Sequence, residues 1–153
     1  RETSGVMLVA KTQVAFDFLK TQFRDRIAEK EYHCIVYGVP RFHSDWIEKA
    51  IGTDAKHPER MTVLDEGGRE SSTYYEVVER FDGFSHVLCR PKTGRTHHDV
   101  IPEGAPDPHR QCLHALRLKV PHPLTQKPLM IEAPMASDIE ALLAWLRENR
   151  PAS

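Results

Sequence analysis

Hydrophobic and polar residues follow two different periods along the chain. From Gln13 to Arg24 apolar side chains recur every three or four positions, which predicts an amphipathic helix with Thr12 as its N-cap. A second helix is predicted to end near Asn149, and the stretch Ser137-Asp138-Ile139-Glu140 has the form of a capping box at its start. The rest of the chain carries short apolar or alternating segments, which are typical of β-strands.

The clearest strand signal is a hairpin. Ser72–Arg80 and Phe84–Cys89 are rich in aromatic and β-branched residues and are joined by Asp82-Gly83, which favours a tight turn. The other predicted strands are Val6–Ala10 (as a buried strand), Glu31–Gly38, Asp45–Ile51, Arg60–Leu64, Cys112–Val120 and Pro128–Ala133. This order of elements predicts an α+β fold with a mixed, mainly antiparallel sheet and flanking helices, in one domain over residues 1–153.

Composition and motifs exclude several classes of protein. No stretch of the sequence approaches 18 apolar residues, so we expect no membrane partner. The 3 cysteines form no CxxC pair and lie in apolar runs, which predicts buried free thiols and suits a reducing cytoplasm. The 9 histidines show no HxxxH spacing, so we expect no metal site. GxxxxGK[ST] and GxGxxG loops, which bind nucleotide phosphates, are absent from the sequence.

The net charge of −1 argues against a strongly basic nucleic-acid binder, but its distribution is uneven. Residues 41–79 hold nine acids and five bases, whereas residues 80–97 hold four bases and one acid. Residues 106–131 again hold four bases and one acid. Because a few phosphates need only a local basic face, the total charge does not exclude RNA.

Two features are candidates for chemistry. In the loop 91–98, Gly94 permits a tight turn and the cations Lys92 and Arg95 could hold a phosphate; the alternative is a solvated basic turn. Tyr32 lies early in a predicted strand, where a tyrosine is usually a core residue with its hydroxyl hydrogen-bonded at an edge. A catalytic role for Tyr32 is the alternative.

Five ordered stretches together resemble the RluA-type pseudouridine synthases. The family's motifs include T-S-G followed by an apolar run, K-x-Y followed by an apolar strand and glycine, and T-G-R-T-H. The matching segments are Arg1–Lys11, Glu29–Tyr32 with Ile35–Gly38, Gly68–Tyr75, Pro91–His97, and Leu113–Ala115 with His122-Pro123. The resemblance covers nearly the whole chain and implies a pseudouridine synthase catalytic domain.

The resemblance also implies an activity. Enzymes of this family isomerise uridine to pseudouridine in structured RNA without cofactor or metal, and 23S ribosomal RNA is the substrate expected here, for a cytoplasmic monomer. Tyr32 matches the family tyrosine that stacks on the extruded base and is proposed to transfer a proton. The residues implied to bind substrate or RNA are Arg1, Thr3, Ser4, Gly5, Lys30, Lys92, Gly94, Arg95, Thr96 and His97.

The sequence departs from the family pattern at two places. By the alignment of motifs, the nucleophilic aspartate would lie immediately before Arg1, and Q-I-R would follow His97, where His98-Asp99-Val100 stands. We therefore expect a catalytic-domain fragment in which a segment is missing after about residue 97. The alternatives are a noncatalytic RNA-binding module with a degenerate synthase fold and a small-molecule-binding α+β domain.

Overall fold

The computed structural model describes residues 3–54, 61–93 and 104–152, which form eight strands and two helices. In chain order these are β1 (Ser4–Gly5), α1 (Gln13–Arg24), β2 (Glu29–Tyr37), β3 (Ser44–Thr53), β4 (Met61–Val63), β5 (Arg69–Phe81), β6 (Phe84–Pro91), β7 (Leu113–Pro121), β8 (Pro128–Glu132) and α2 (Ser137–Asn149). All strands join one sheet in the order β1-β7-β2-β6-β5-β3-β4, with β8 also paired to β7. The predicted α+β fold is confirmed.

The sheet is antiparallel at every pairing except the one between β1 and β7. The predicted hairpin is confirmed as β5 and β6, and Gly83 in its turn has the positive φ of 76° that such turns favour. The polar segment after Gly38 contains both predicted strands, β3 and β4, and β3 pairs with β5 from Ser44 to Ile51.

Both helices cover the same face of the sheet. On α2, Ile139, Leu142 and Leu146 are fully buried in a cluster that includes Ile35 of β2. On α1, Leu19 packs in a cluster with residues of β7. The helix-facing side chains of the strands include Ile35, Leu118 and Val120. Because strand side chains alternate, the opposite face, with Tyr32 and Cys34 of β2, is free of both helices.

The prediction of a buried strand over Val6–Ala10 is wrong. The strand that forms is β1, and beyond it the Val6 N–H donates to the Ala115 carbonyl over 2.9 Å. Met7 and Val9 are 83% and 73% exposed. The reason is competition for one edge of β7, because β8 occupies that edge from Arg117 onward and leaves no pairing partner for residues 6–10.

The predicted capping box of α2 is also wrong, whereas the predicted N-cap of α1 is confirmed. Thr12 Oγ1 accepts a hydrogen bond from the Ala15 N–H at 3.2 Å. In α2 the N-cap is Ala136, whose side chain cannot accept a hydrogen bond, and Ser137 is already helical. Asp138 in the first turn is instead held by Arg110, whose guanidinium donates to both carboxylate oxygens over 2.7 Å.

The three cysteines lie outside disulfides, as predicted. Cys112 is buried, whereas Cys34 and Cys89 are half-buried. Within the part of the chain that the structure describes, neither helix has the length and apolar character needed to cross a membrane.

Candidate functional site

A cleft of about 1030 Å³ lies on the sheet face that the helices leave open. It is lined from one side by Thr3, Ser4 and Gly5 of the first segment and from its floor by residues of six other strands. Those floor residues include Tyr32, Cys34, Val36, Thr73, Tyr75, Val87, Cys89, Leu113 and Ala115. The structure thus brings four of the sequence-predicted site residues into one cavity. We call this cavity the main cleft.

Gly5 comes into close contact with β7. It adopts φ +107°, and a Cβ built on it would lie 2.2 Å from the Ala115 carbonyl oxygen. No side chain fits at that distance, so only glycine lets the backbone of β1 approach β7 in this way. Ala115 pairs with Gly5 on one side and with Tyr32 on the other. The Gly5 backbone and the Tyr32 ring therefore border the same stretch of cleft, two strand spacings or roughly 10 Å apart.

Ser4 is held by a buried histidine. Its Oγ lies 2.9 Å from Nδ1 of His114, and Nε2 of His114 lies 3.3 Å from the Ala133 carbonyl oxygen. Because a carbonyl oxygen only accepts, Nε2 carries a proton in that contact, and Nδ1 is left to pair with the Ser4 hydroxyl. His114 is 1% exposed. The buried His114 ring therefore fixes the position of Ser4, the residue next to Gly5.

A β-bulge sets the direction of Tyr32. Glu31 pairs with Arg117 and Tyr32 pairs with Ala115, two positions further along β7, so the register shifts between Glu31 and Tyr32. Arg117 and Ala115 lie on the same face of β7, so the bulge interrupts the regular alternation of side chains along β2 between Glu31 and Tyr32. Bulges of this kind are common beside active sites, where they redirect a side chain.

The phenol of Tyr32 lies in a partly desolvated environment. Burial, and secondarily the neighbouring Cys34, raise the pKa of Tyr32 above its ordinary value. The Tyr32 hydroxyl therefore keeps its proton at neutral pH and can donate a hydrogen bond. On the cleft floor the Cys34 Sγ lies 3.8 Å from the Cys89 Sγ, and this contact lowers the pKa of the Cys89 thiol.

A second cavity opens where β2 and β6 separate. Their last pair is Tyr32 with Cys89; beyond it β2 continues along β7 and β6 continues along β5. The fork between them holds a cavity of about 480 Å³, which we call the basic pocket. Its charged lining consists of six cations and two carboxylates: Arg26, Lys30, Arg90, Lys92, Arg117, Lys119, Glu29 and Glu31. Trp46 and Pro91 line both cavities, so the basic pocket adjoins the main cleft.

The cations of the basic pocket are unequally neutralised. Glu31 accepts from Arg90 at 2.8 Å and from Arg117 at 2.7 Å, so one carboxylate bridges two guanidinium groups across the fork. Burial, with the charge of Arg26 adding to it, lowers the pKa of Lys30. Among the described residues, Lys92 contacts an aromatic ring rather than a carboxylate, with Nζ 4.1 Å from the centroid of Trp46.

The structure therefore distributes the predicted site residues between two adjoining cavities. Thr3, Ser4, Gly5 and Tyr32 line the main cleft, and Lys30 and Lys92 line the basic pocket. Five predicted residues lie outside the described part of the chain: Arg1, Gly94, Arg95, Thr96 and His97.

Sequence reasoning missed three residues of the site: Glu31, Trp46 and His114. Glu31 and His114 lie within the matched motifs, but only their registers across the sheet reveal what they contact. Trp46 lies in the polar segment after Gly38, and the sequence did not show which face of its strand it occupies. The available signal was the presence of a tryptophan in an otherwise polar segment.

Comparison with known proteins places this chain in a family. The profile of the RNA pseudouridylate synthase family matches residues 1–98. The chain is 32% identical to the "Uncharacterized RNA pseudouridine synthase YlyB" of Bacillus subtilis, over 97% of this chain and 54% of that protein. It is also 32% identical to the "Ribosomal large subunit pseudouridine synthase D" of Neisseria meningitidis, over 96% of this chain and 46% of that protein. The chain belongs to the RNA pseudouridylate synthase family.

Solved structures show the same fold. "Human RNA Pseudouridylate Synthase Domain Containing 4" superposes with a TM-score of 0.73 at 17% identity, covering 95% of this chain and 72% of that one. "Human RNA Pseudouridylate Synthase Domain Containing 1" gives a TM-score of 0.67 at 22% identity, covering 95% and 76%. The chain spans about half the length of the curated relatives it matches. Within the described ranges, no three His, Cys, Asp or Glu residues are grouped so as to hold a metal ion.

Proposed function

We propose that the protein to which this chain belongs isomerises uridine to pseudouridine in structured RNA, and that its substrate is large-subunit ribosomal RNA. The observation that carries the proposal is that Gly5 and Tyr32 border one cleft across Ala115. The T-S-G and K-x-Y motifs, distant in sequence, thus lie side by side. The name of the Neisseria relative supports the choice of RNA.

The reaction defines what the cleft has to do. The bond between C1′ and N1 of the uridine breaks, and a bond between C1′ and C5 forms. C5 loses its proton and N1 gains one. The base must leave its stack for this exchange, and the unstacking costs a few kcal/mol. The open cleft, with Tyr32 in its floor, suits an extruded pyrimidine ring.

Tyr32 is proposed as the catalytic residue of this chain. Its ring stacks against the uracil, and its hydroxyl, which stays protonated because burial raises the pKa of Tyr32, takes part in proton transfer. Thr3, Ser4 and Gly5 form the wall opposite Tyr32. Thr3 Oγ1 accepts a hydrogen bond from Nε2 of Gln111 over 3.3 Å, so Thr3 and Ser4 of this wall are each held by a hydrogen bond to another part of the chain.

RNA contacts outside the cleft are proposed for the basic residues. Lys30 and Lys92 lie in the basic pocket beside the cleft, where a phosphodiester would relieve the repulsion among cations. Arg1, Gly94, Arg95, Thr96 and His97 remain predicted RNA-binding residues on the strength of their motifs alone.

The organisation of the chain is also a proposal. We infer a catalytic-domain fragment that lacks a family segment after about residue 97. The alignments with the relatives extend over 165 and 174 residues, more than the 153 of this chain, and so support extra residues in the relatives at internal positions. We further propose that the protein is a cytoplasmic monomer that needs neither metal nor cofactor.

The proposal is tested with the product of the intact gene and ribosomal RNA carrying tritium at C5 of uridine. Isomerisation releases the C5 proton, so tritium should appear in water. RNA binding without tritium release would favour the noncatalytic module. The absence of both RNA binding and tritium release would exclude the enzyme and the noncatalytic module alike. The gene itself gives a prior check, because His-Arg-Leu-Asp is expected before Arg1 and Gln-Ile-Arg after His97.

A further inference from the structure

Two neighbouring aromatic rings lie between two cations beside the basic pocket. The Lys92 ammonium lies over the Trp46 ring at 4.1 Å, Trp46 lies 5.4 Å from the Tyr74 ring, and the Arg90 guanidinium lies 5.8 Å from the Tyr74 centroid. Register places Trp46, Tyr74 and Arg90 side by side on β3, β5 and β6. Aromatic rings next to cations are the composition that binds single-stranded nucleic acid.

Trp46 is an aromatic residue that remains accessible to solvent beside the basic pocket. It is 43% exposed, although it stands on a ten-residue strand that is paired along its length. It lines the main cleft as well as the basic pocket. A polynucleotide that places one base beside Tyr32 and continues through the fork would come within reach of Trp46, because Trp46 borders both cavities.

The charge of the neighbourhood selects the ligand. The six cations of the basic pocket outnumber the four carboxylates that meet them. Glu29 and Glu31 line the pocket, Glu76 also accepts from Arg90, and Glu132 also accepts from Arg117. Glu31 is shared between Arg90 and Arg117. Burial, and secondarily the charge of Arg26, disfavour the charged form of Lys30. A phosphate bound beside Lys30 would favour that charged form again. A ligand that binds both these cations and the exposed Trp46 ring needs an anionic group and a flat ring. A nucleotide has both, in its phosphate and its base.

We propose that the basic pocket and Trp46 form a subsite for an unpaired nucleotide that neighbours the target uridine. In the free protein the Lys92 ammonium covers the Trp46 ring. When RNA binds, the base takes that ring face and Lys92 turns to the phosphate. The subsite deepens the proposed function, since it assumes that the main cleft receives RNA.

The two contacts predict different signatures in a binding experiment. The probe is a fluorescein-labelled RNA hairpin with a uridine-rich loop, titrated by fluorescence anisotropy at several salt concentrations. Trp46→Ala should weaken binding about tenfold and leave the salt dependence unchanged, because stacking carries no charge. Lys92→Ala should lower the slope of log K against log salt by about 0.7, since one phosphate contact is lost.

Matched variants separate the subsite from general effects. Trp46→Phe keeps a stacking face and should restore binding to within about threefold of the wild type. Phe42→Ala removes another exposed aromatic residue, which carries the guanidinium of Arg41, and Lys127→Ala removes a cation outside both cavities. Neither control should change affinity or slope. Circular dichroism of each variant verifies that the fold is kept.

A blunt duplex of the same length identifies what is recognised. Trp46→Ala should leave duplex binding nearly unchanged, because the bases inside a duplex are already stacked on their neighbours. If wild-type protein binds the hairpin and Trp46→Ala binds it equally well, the subsite is refuted while the proposed function stands. If the wild type binds neither RNA, the proposed function and the subsite fail together.

Discussion

Gly5 and Gly38 illustrate how much a single residue can decide. Both have strongly positive φ, +107° and +94°, which L-residues rarely adopt. Their surroundings differ, because a Cβ at Gly5 would meet the Ala115 carbonyl whereas a Cβ at Gly38 would meet open space. Gly38 therefore requires glycine for its backbone angle alone, and Gly5 requires it for the angle and for the closeness of β1 to β7.

The Gly5→Ala variant should detach β1 from β7. Gly38→Ala carries only the backbone strain, about 1–2 kcal/mol, and is the matched control. The measurement is hydrogen exchange of the Val6 amide, which donates to Ala115 in the wild type. Gly5→Ala should expose this amide and Gly38→Ala should not. Equal protection of Val6 in both variants would contradict the account of Gly5.

Tyr32→Phe keeps the ring and removes the hydroxyl. We expect RNA affinity close to that of the wild type and a rate of pseudouridine formation lower by about 10²-fold or more, which is the range for a lost acid–base group. Single-turnover tritium release measures the rate, and anisotropy measures the affinity. A normal rate would rule out a proton-transfer role for Tyr32.

His86 makes the fold sensitive to acid. Burial first, and then the charge of His33, lower the pKa of His86 to about 4; Arg147 acts in the same direction and Glu79 opposes it. In the unfolded chain the pKa of histidine is about 6.5. Between about pH 6.5 and 4, His86 is therefore protonated in the unfolded state and unprotonated in the folded state. Stability should fall over that window as the pH is lowered, by about 3 kcal/mol.

The pH dependence can be assigned to His86 by substitution. Urea unfolding measured at several pH values should show a much shallower acid slope in His86→Phe than in the wild type. His43→Gln, at an exposed position, should keep the wild-type slope. An unchanged slope in His86→Phe would show that another group causes the acid sensitivity.

At the level of elements, helices and long strands were predictable from the sequence where the pattern was local. α1 has the predicted bounds because Thr12 and the apolar period act within a few residues, and the β5–β6 hairpin follows from its turn. Val6–Ala10 was mispredicted because the pattern cannot show that β8 takes the edge of β7. The α2 cap was mispredicted because Asp138 pairs with Arg110, which lies 28 residues earlier in the sequence and outside the local pattern.

The ion pair between Arg110 and Asp138 joins α2 to the start of β7. Arg110 also donates to the carbonyl of Leu113 over 3.2 Å, and its side chain is only 15% exposed. Arg110→Ala should lower the free energy of unfolding by about 1–3 kcal/mol, because the carbonyl and carboxylate lose a charged donor. Urea denaturation is the measurement.

Arg147→Ala is the matched control for this pair. Arg147 also makes a two-pronged pair, with Glu79, but its side chain is 53% exposed, so its loss should cost less than about 1 kcal/mol. Equal losses in the two variants would contradict the role given to Arg110.

At the scale of the whole molecule, the site depends on relations between strands that no segment contains. The motif residues Gly5 and Tyr32 were identifiable from the sequence by resemblance, but their meeting across Ala115 is a property of strand order. The same holds for the fork beyond Tyr32, which gathers cations from several elements into the basic pocket. A net charge of −1 therefore coexists with a cationic cavity next to the cleft.

The central claim is that the main cleft serves uridine isomerisation in ribosomal RNA. The most direct measurement is a pseudouridine map of large-subunit ribosomal RNA from cells that lack the gene, compared with the parent strain. We predict the loss of pseudouridine at one or a few positions, restored by the wild-type gene and not by the Tyr32→Phe variant. A map identical to that of the parent strain would contradict the claim.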